Sequence, residues 1–180
     1  MKVNKKIKVK VICESVYDTE LSRILVNWLS KERKLEVVGQ WHLSKPLPNG
    51  EYEHKYCDIV IKPPITCSQT SYDQPTIIFE LLATATNKEL KEHFDRVLIY
   101  ADQRFAGEKW VIHFTCCKNH VTNPLWLTKE ELERGLQVAI VWHDLEFTTV
   151  HIVACWWDGE YKKMHVTRVE EFKPNAIIRI

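Results

Sequence analysis

Pro75-Thr76-Ile77-Ile78-Phe79-Glu80-Leu81-Leu82 is an apolar run led in by a proline, the pattern of a buried strand, and it carries one carboxylate, Glu80. An ionised carboxylate in an apolar interior is costly unless something pairs with it. A second run, Tyr56-Cys57-Asp58-Ile59-Val60-Ile61, repeats the anomaly at Asp58. Two neighbouring strands of this kind would aim both carboxylates at one point, where a divalent metal would satisfy them. The competing expectation is that each acid meets a structural cation, with Lys62 and Arg96 as the candidates.

The segments around these two strands predict an α/β order. Asp18 is expected to cap a helix running to about Lys31, with Tyr17, Leu21, Ile24, Leu25 and Trp28 on one apolar face and Glu20 flanking it. Leu35 to Leu43 predicts a strand, and Pro46, Pro48, Asn49 and Gly50 predict a turn. The Asp58 strand ends at Pro63-Pro64, and a polar loop through Asp73 leads to the Glu80 strand. A long helix follows from Asn87 to Phe105, with Leu90, Phe94, Val97, Leu98, Ala101 and Phe105 as its apolar stripe and Gly107 as its stop. Trp110 to Phe114 is the next strand, Thr128-Lys-Glu-Glu131 is a capping box, and Gln137 to Trp142 is another strand. Thr148 to Trp157 and Tyr161 to Phe172 read as a β-hairpin. At the N-terminus Ile7, Val9 and Val11 alternate with Lys6, Lys8 and Lys10, a strand whose lysines either guard a sheet edge or bind phosphate. The expected architecture is a single α/β domain over residues 1–180 with a mixed sheet, a core at about 18–114 and a β-rich extension at about 136–180. The strand–helix–strand step after Glu80 predicts a parallel crossover.

Composition narrows the function classes. A chain of 180 residues with 45% hydrophobic and 27% charged side chains supports one globular domain with its own core. The net charge of +1 does not announce a nucleic-acid partner, although a local basic surface stays open. No apolar run is long enough to span a bilayer. Met1-Lys-Val-Asn-Lys-Lys-Ile lacks the apolar core of a secretory signal, and six cysteines without framework spacing predict reduced thiols. Both point to the cytoplasm or nucleus. The absence of a glycine-rich phosphate loop argues against a nucleotide-binding fold.

The element order and the two acids resemble the PD-(D/E)XK nuclease superfamily, the restriction-endonuclease-like fold. Its core is helix, three-stranded meander, helix, strand, with an acid on the second strand and an acid, any residue, then lysine on the third. The matching positions are Asp58, Glu80 and Leu82. Phe79-Glu80-Leu81-Leu82-Ala83, Ile99-Tyr100-Ala101 and Trp142-His143-Asp144-Leu145 are also similar to domains of fungal Crinkler-type effectors. The resemblance implies a metal-dependent nuclease that hydrolyses phosphodiester bonds, with Mg²⁺ or Mn²⁺ held by Asp58 and Glu80. It adds Glu20 as a third ligand, since many members carry a glutamate on the first helix facing the metal. The partner implied is nucleic acid, DNA ahead of RNA, with a protein partner or a second copy of the chain as further candidates and no membrane.

One position departs from the motif: Leu82 stands where the family has its lysine, the residue that orients the attacking water and stabilises developing charge. Strand parity puts residue 82 on the face of Glu80, so no cation arises there. Lys62 shares parity with Asp58 and is the candidate replacement; Arg96 is a poorer proton acceptor because of its high pKa. Without either, the expectation becomes a catalytically inactive nuclease-fold domain that binds protein or nucleic acid. His93, Arg96 and Tyr100, three and four apart, share a flank of the long helix and are candidates for contacting phosphate or ordering the metal ligands. Some branches of the family carry glutamine and tyrosine four apart on this helix, and Tyr100 matches the tyrosine. Alternatively they form a salt-bridged surface, and Glu20 is a solvated first-turn residue. His113, Cys116, Cys117 and His120 look like a zinc cluster, but their spacings are unlike those of paired ligands, and the competing expectation is a strand histidine beside loop-edge cysteines. Trp28, Trp110 and Trp142 are expected in the core, and Trp156 and Trp157 on opposite faces of one strand.

Overall fold

The computed structural model describes residues 13–62, 77–104, 106–158 and 163–172. The lysine-alternating segment at 7–11, the loop at 63–76 with Pro75, and Phe105 lie outside them. Within the described residues the chain folds as an α/β structure around one mixed sheet of seven strands, in sequence order. These are β1 (Glu36–Pro46), β2 (Tyr52–Lys62), β3 (Ile77–Ala83), β4 (Glu108–Thr115), β5 (Leu136–His143), β6 (Val150–Asp158) and β7 (Lys163–Phe172). β1, β2 and β3 form an antiparallel meander. β3, β4 and β5 are mutually parallel, and β6 and β7 return antiparallel. Parallel neighbours need a long connection between them. Helix α2 (Asn87–Arg104) supplies it from β3 to β4, and short α3 (Asn119–Thr122) and α4 (Lys129–Glu133) lie between β4 and β5.

Alternation along β3 decides which helix covers which face. Leu81 joins Ile59, Ile61 and Leu25 in one buried cluster, against which Tyr17, Leu21, Leu29, Phe79 and Phe114 pack. That face belongs to α1 (Glu14–Leu25). Leu82 joins Leu90, Phe94, Val97, Val111, Val138 and Ile140 in a second cluster under α2. Val153 and Cys155 of β6 belong to the same second cluster, so the C-terminal strands share the core of the rest of the sheet.

The first helix differs from expectation in two ways. It begins at Glu14, with Cys13 at the N-cap position and no side-chain cap, so Asp18 lies inside it. It also continues as a π-helical turn over Val26–Ser30. Ile24, expected on the apolar face and upstream of that turn, is 52% exposed. Trp28, expected in the core, is 52% exposed. Trp142 packs partly buried against the α2-side core, as does Trp157. The hairpin β1–β2 is longer than the sequence suggests on both strands, and closes at a turn where Gly50 takes φ 84°, a left-handed conformation that costs glycine little.

Candidate active site

Strands β2 and β3 pair only at Ile59↔Phe79, Val60↔Ile78 and Ile61↔Ile77. Beyond Phe79 the two strands part, and both acids sit at the fork. Asp58 is the first β2 residue past the last paired position, and Glu80 is the first on β3. The N–H of Leu81, which a continued ladder would have matched to a β2 carbonyl, instead donates to Asp58 Oδ2 at 2.7 Å. On the other flank of β2, Gln40 adopts φ 47° opposite Asp58, between the pairs Gly39↔Ile59 and Trp41↔Cys57. Left-handed backbone in a strand bends it locally, as a bulge does.

Glu80 is buried, at 1% exposure, on the α2 face of the sheet. Its Oε1 accepts from Arg96 Nη1 at 2.8 Å and meets His93 Nδ1 at 3.0 Å. Arg96 Nη2 in turn lies 3.3 Å from His93 Nε2. A guanidinium has only donors, so Nε2 must accept and Nδ1 must carry the hydrogen given to Glu80. Glu80, His93 and Arg96 thus form a closed ring of polar contacts. Glu80 Oε2 stays buried without a hydrogen-bond partner among the described residues. Helical spacing explains the ring: residues 93 and 96, one turn apart on α2, both reach the sheet at one carboxylate.

Burial, then the charge of Glu80, pushes the Asp58 carboxyl up to about 7, against the opposing pull of the Leu81 N–H. Glu14 and Asp18 of α1 add smaller pushes in the same direction. The two sequence-singled acids are therefore electrostatic neighbours. Tyr100 feels both of them: its hydroxyl is pushed up to about 12, first by burial and next by Glu80. Asp58, Arg96 and Tyr100 line one open depression of about 540 Å³ together with His54, Tyr56, Glu92, Asp95 and Ile99.

Two of the sequence candidates lie elsewhere. Lys62 pairs with Glu36 at 3.3 Å and sits over the Trp41 ring at 4.3 Å, four residues along β2 from Asp58. Glu20 takes Arg23 in an exposed pair at 2.7 Å. The α1 acids that Asp58 does sense, Glu14 and Asp18, are hidden from sequence reading because Asp18 resembles a cap. His54 and Tyr56 escape it as well; their signal is the polar alternation Tyr52, His54, Tyr56 leading to Asp58 on one strand parity.

Among the described residues, no group of three or more His, Cys, Asp or Glu is placed to hold a metal ion. His113 is buried, its Nε2 accepts the Ala85 N–H at 3.0 Å, and desolvation moves its pKa down to about 4. Cys116 Sγ lies 3.9 Å from both ring nitrogens of His143, but those nitrogens are committed to Tyr17 Oη and the Asp144 carbonyl, each at 2.6 Å. Burial raises that thiol's pKa, so it is not an activated nucleophile. No described helix is long and apolar enough to cross a membrane. No family model, curated protein or solved structure matches this chain.

Proposed function

We propose that the chain is a metal-dependent nuclease with a restriction-endonuclease-like core, hydrolysing phosphodiester bonds in nucleic acid inside the cell. The observation that carries the reading is the meeting of Asp58 and Glu80 at the fork of β2 and β3. The order helix, antiparallel meander, helix, parallel strand supports the fold half of it.

The donor set suits Mg²⁺ or Mn²⁺. Mg²⁺ is commonly held by one or two carboxylates, with water and substrate phosphate completing its shell. Asp58 and the unpartnered Oε2 of Glu80 are the groups that would hold it. Bound there, the ion would neutralise the phosphate and activate a water. The chain's own residues supply the rest. His93 and Arg96 fix the Glu80 carboxylate through Oε1, leaving Oε2 as its uncommitted oxygen. Arg96 is only half-buried and lines the depression, so its remaining N–H groups are available to a phosphate. Asp58 binds the ion only once it has lost its proton, so raising the pH favours loading of the site.

A second reading rests on Leu82, whose side chain is in the apolar core under α2 at 2% exposure. No lysine replaces it at the fork among the described residues, and Arg96 already neutralises Glu80. This favours a nuclease-fold domain that binds protein or nucleic acid without cutting. Incubation with single- and double-stranded DNA and RNA, with Mg²⁺, Mn²⁺ or EDTA, separates the two. The nuclease reading expects metal-dependent cleavage that Glu80→Ala abolishes. Intact substrates under every condition leave the binding reading.

A further inference from the structure

The arm of β2 that runs away from Asp58 carries a row of exposed rings. Tyr52, His54 and Tyr56 alternate along the strand and share its parity with Asp58. Tyr52 is 59% exposed and Tyr56 57%. From β1, His42 pairs in register with Tyr56 and adds its own ring to the row. The His42 and His54 rings stack at 4.8 Å and 13°, with His42 Nε2 and His54 Nδ1 2.7 Å apart, and the His42 and Tyr56 rings lie 5.1 Å apart. Rings two residues apart on a strand are about 6.7 Å apart; the His42 ring fills that gap between His54 and Tyr56, so a flat ligand would lie against the outward faces of the row. The row does not end in solvent: His54 and Tyr56 line the same depression as Asp58, Arg96 and Tyr100.

We infer that this ring row is a stacking platform for the unpaired bases of single-stranded nucleic acid, DNA or RNA, leading the strand to the Asp58–Glu80 fork. Bases buried inside a duplex cannot lie flat on side chains, whereas every unpaired base offers a face to an aromatic ring. Charge offers a polyanion little attraction here, so stacking has to supply most of the affinity. Arg96 is the one cation among the described lining residues, against the carboxylates of Asp58, Glu92 and Asp95. A purely electrostatic groove would show the opposite balance. The platform's purpose rests on the nuclease reading, but its binding does not require cleavage.

The test is fluorescence anisotropy in EDTA with labelled twelve-nucleotide oligo-dT, oligo-rU, and a DNA duplex of the same length. The expected result is single strands bound more tightly than duplex. Loss of a stacking ring is expected to weaken single-strand binding about five- to hundredfold in Tyr56→Ala and Tyr52→Ala. Tyr56→Phe should bind like the parent chain, since it keeps the ring and discards only the hydroxyl. The logarithm of the binding constant should fall with the logarithm of salt less steeply than about −1, as roughly one phosphate contact implies. Tighter duplex binding, or unchanged single-strand binding in both alanine variants with a normal melting curve, overturns the platform. Single-strand binding with no cleavage of any single strand or duplex in Mg²⁺ or Mn²⁺ overturns the nuclease reading alone; single-strand cleavage that survives both alanine substitutions overturns the platform alone.

Discussion

Asp58 has an ordinary carboxyl pKa of 3.8, and burial beside Glu80 carries it to about 7 in the fold. Between those two values the folded chain holds a proton that the unfolded chain has released. Stability conferred by protonated Asp58 is thus complete below about 4 and fades as pH rises towards 7. Asp58→Asn keeps an oxygen for the Leu81 N–H and removes the charge. It is expected to stabilise the fold at pH 8 by roughly 2–4 kcal/mol and to flatten this group's share of the slope between pH 5 and 7. Thermal melts of both chains at pH 5, 6, 7 and 8 check this; a parent and variant with parallel profiles would count against it. Glu80 presents the converse case. Arg96→Ala strands a buried carboxylate, and the expected loss is about 2–3 kcal/mol, below the 3–5 of a fully buried pair because the guanidinium is 42% exposed. Combining it with Glu80→Gln should recover much of that loss, a coupling that denaturant titration of the four chains measures. The acids were legible in the sequence because a carboxylate in an apolar strand is conspicuous, and Arg96 because helical spacing is regular. The actual partners of Lys62 and Glu20 were not legible. The Lys62 partner depends on the β1–β2 register, and the Glu20 partner on which of several nearby side chains wins.

Helix α4 shows which elements sequence reads well. Thr128 Oγ1 accepts from the Glu131 N–H at 3.3 Å, and Glu131 Oε2 accepts from the Thr128 N–H at 2.7 Å, the reciprocal pair expected of this spacing. Such a box is settled within four residues, so no distant contact can override it cheaply. Thr128→Ala is expected to cost about 1 kcal/mol. Here the consequence spreads further, because buried Glu131 also takes Lys91 of α2, tying α4 to the helix that carries His93 and Arg96. Lys91→Met should therefore destabilise by more than an exposed ion pair would, and chemical denaturation of the two variants ranks them. Helix α1 is the contrary example. Cys13 offers no cap to read, and the π-helical turn after Leu25 leaves no mark in the hydrophobic periodicity upstream of it. A helix boundary set by packing against a sheet is a tertiary outcome, invisible to a window of neighbouring residues.

At the scale of the molecule, the sequence separates a core ending near Phe114 from a β-rich extension, yet the folded chain does not separate them. β5 pairs with β4 on one side and β6 on the other, and Val153 and Cys155 lie in the same buried cluster as Leu82, Phe94 and Val138. Strand periodicity identified these segments, but it carries no information about which sheet they join; that depends on long-range pairing. The consequence is cooperative. A chain ending after Asp144 would leave β5 as an unpaired edge and uncover Val138 and Ile140. Exposed apolar edges of this kind recruit other chains. The expected behaviour of the truncated chain is aggregation or loss of a sharp melt. The full chain should unfold in one transition, reported alike by far-ultraviolet circular dichroism and by fluorescence of tryptophans on both parts, Trp110 on β4 and Trp156 and Trp157 on β6. Two resolved transitions, or a truncated chain that melts sharply at the temperature of its parent, would mean that the extension is a separate unit and that the fork of β2 and β3 stands without its support.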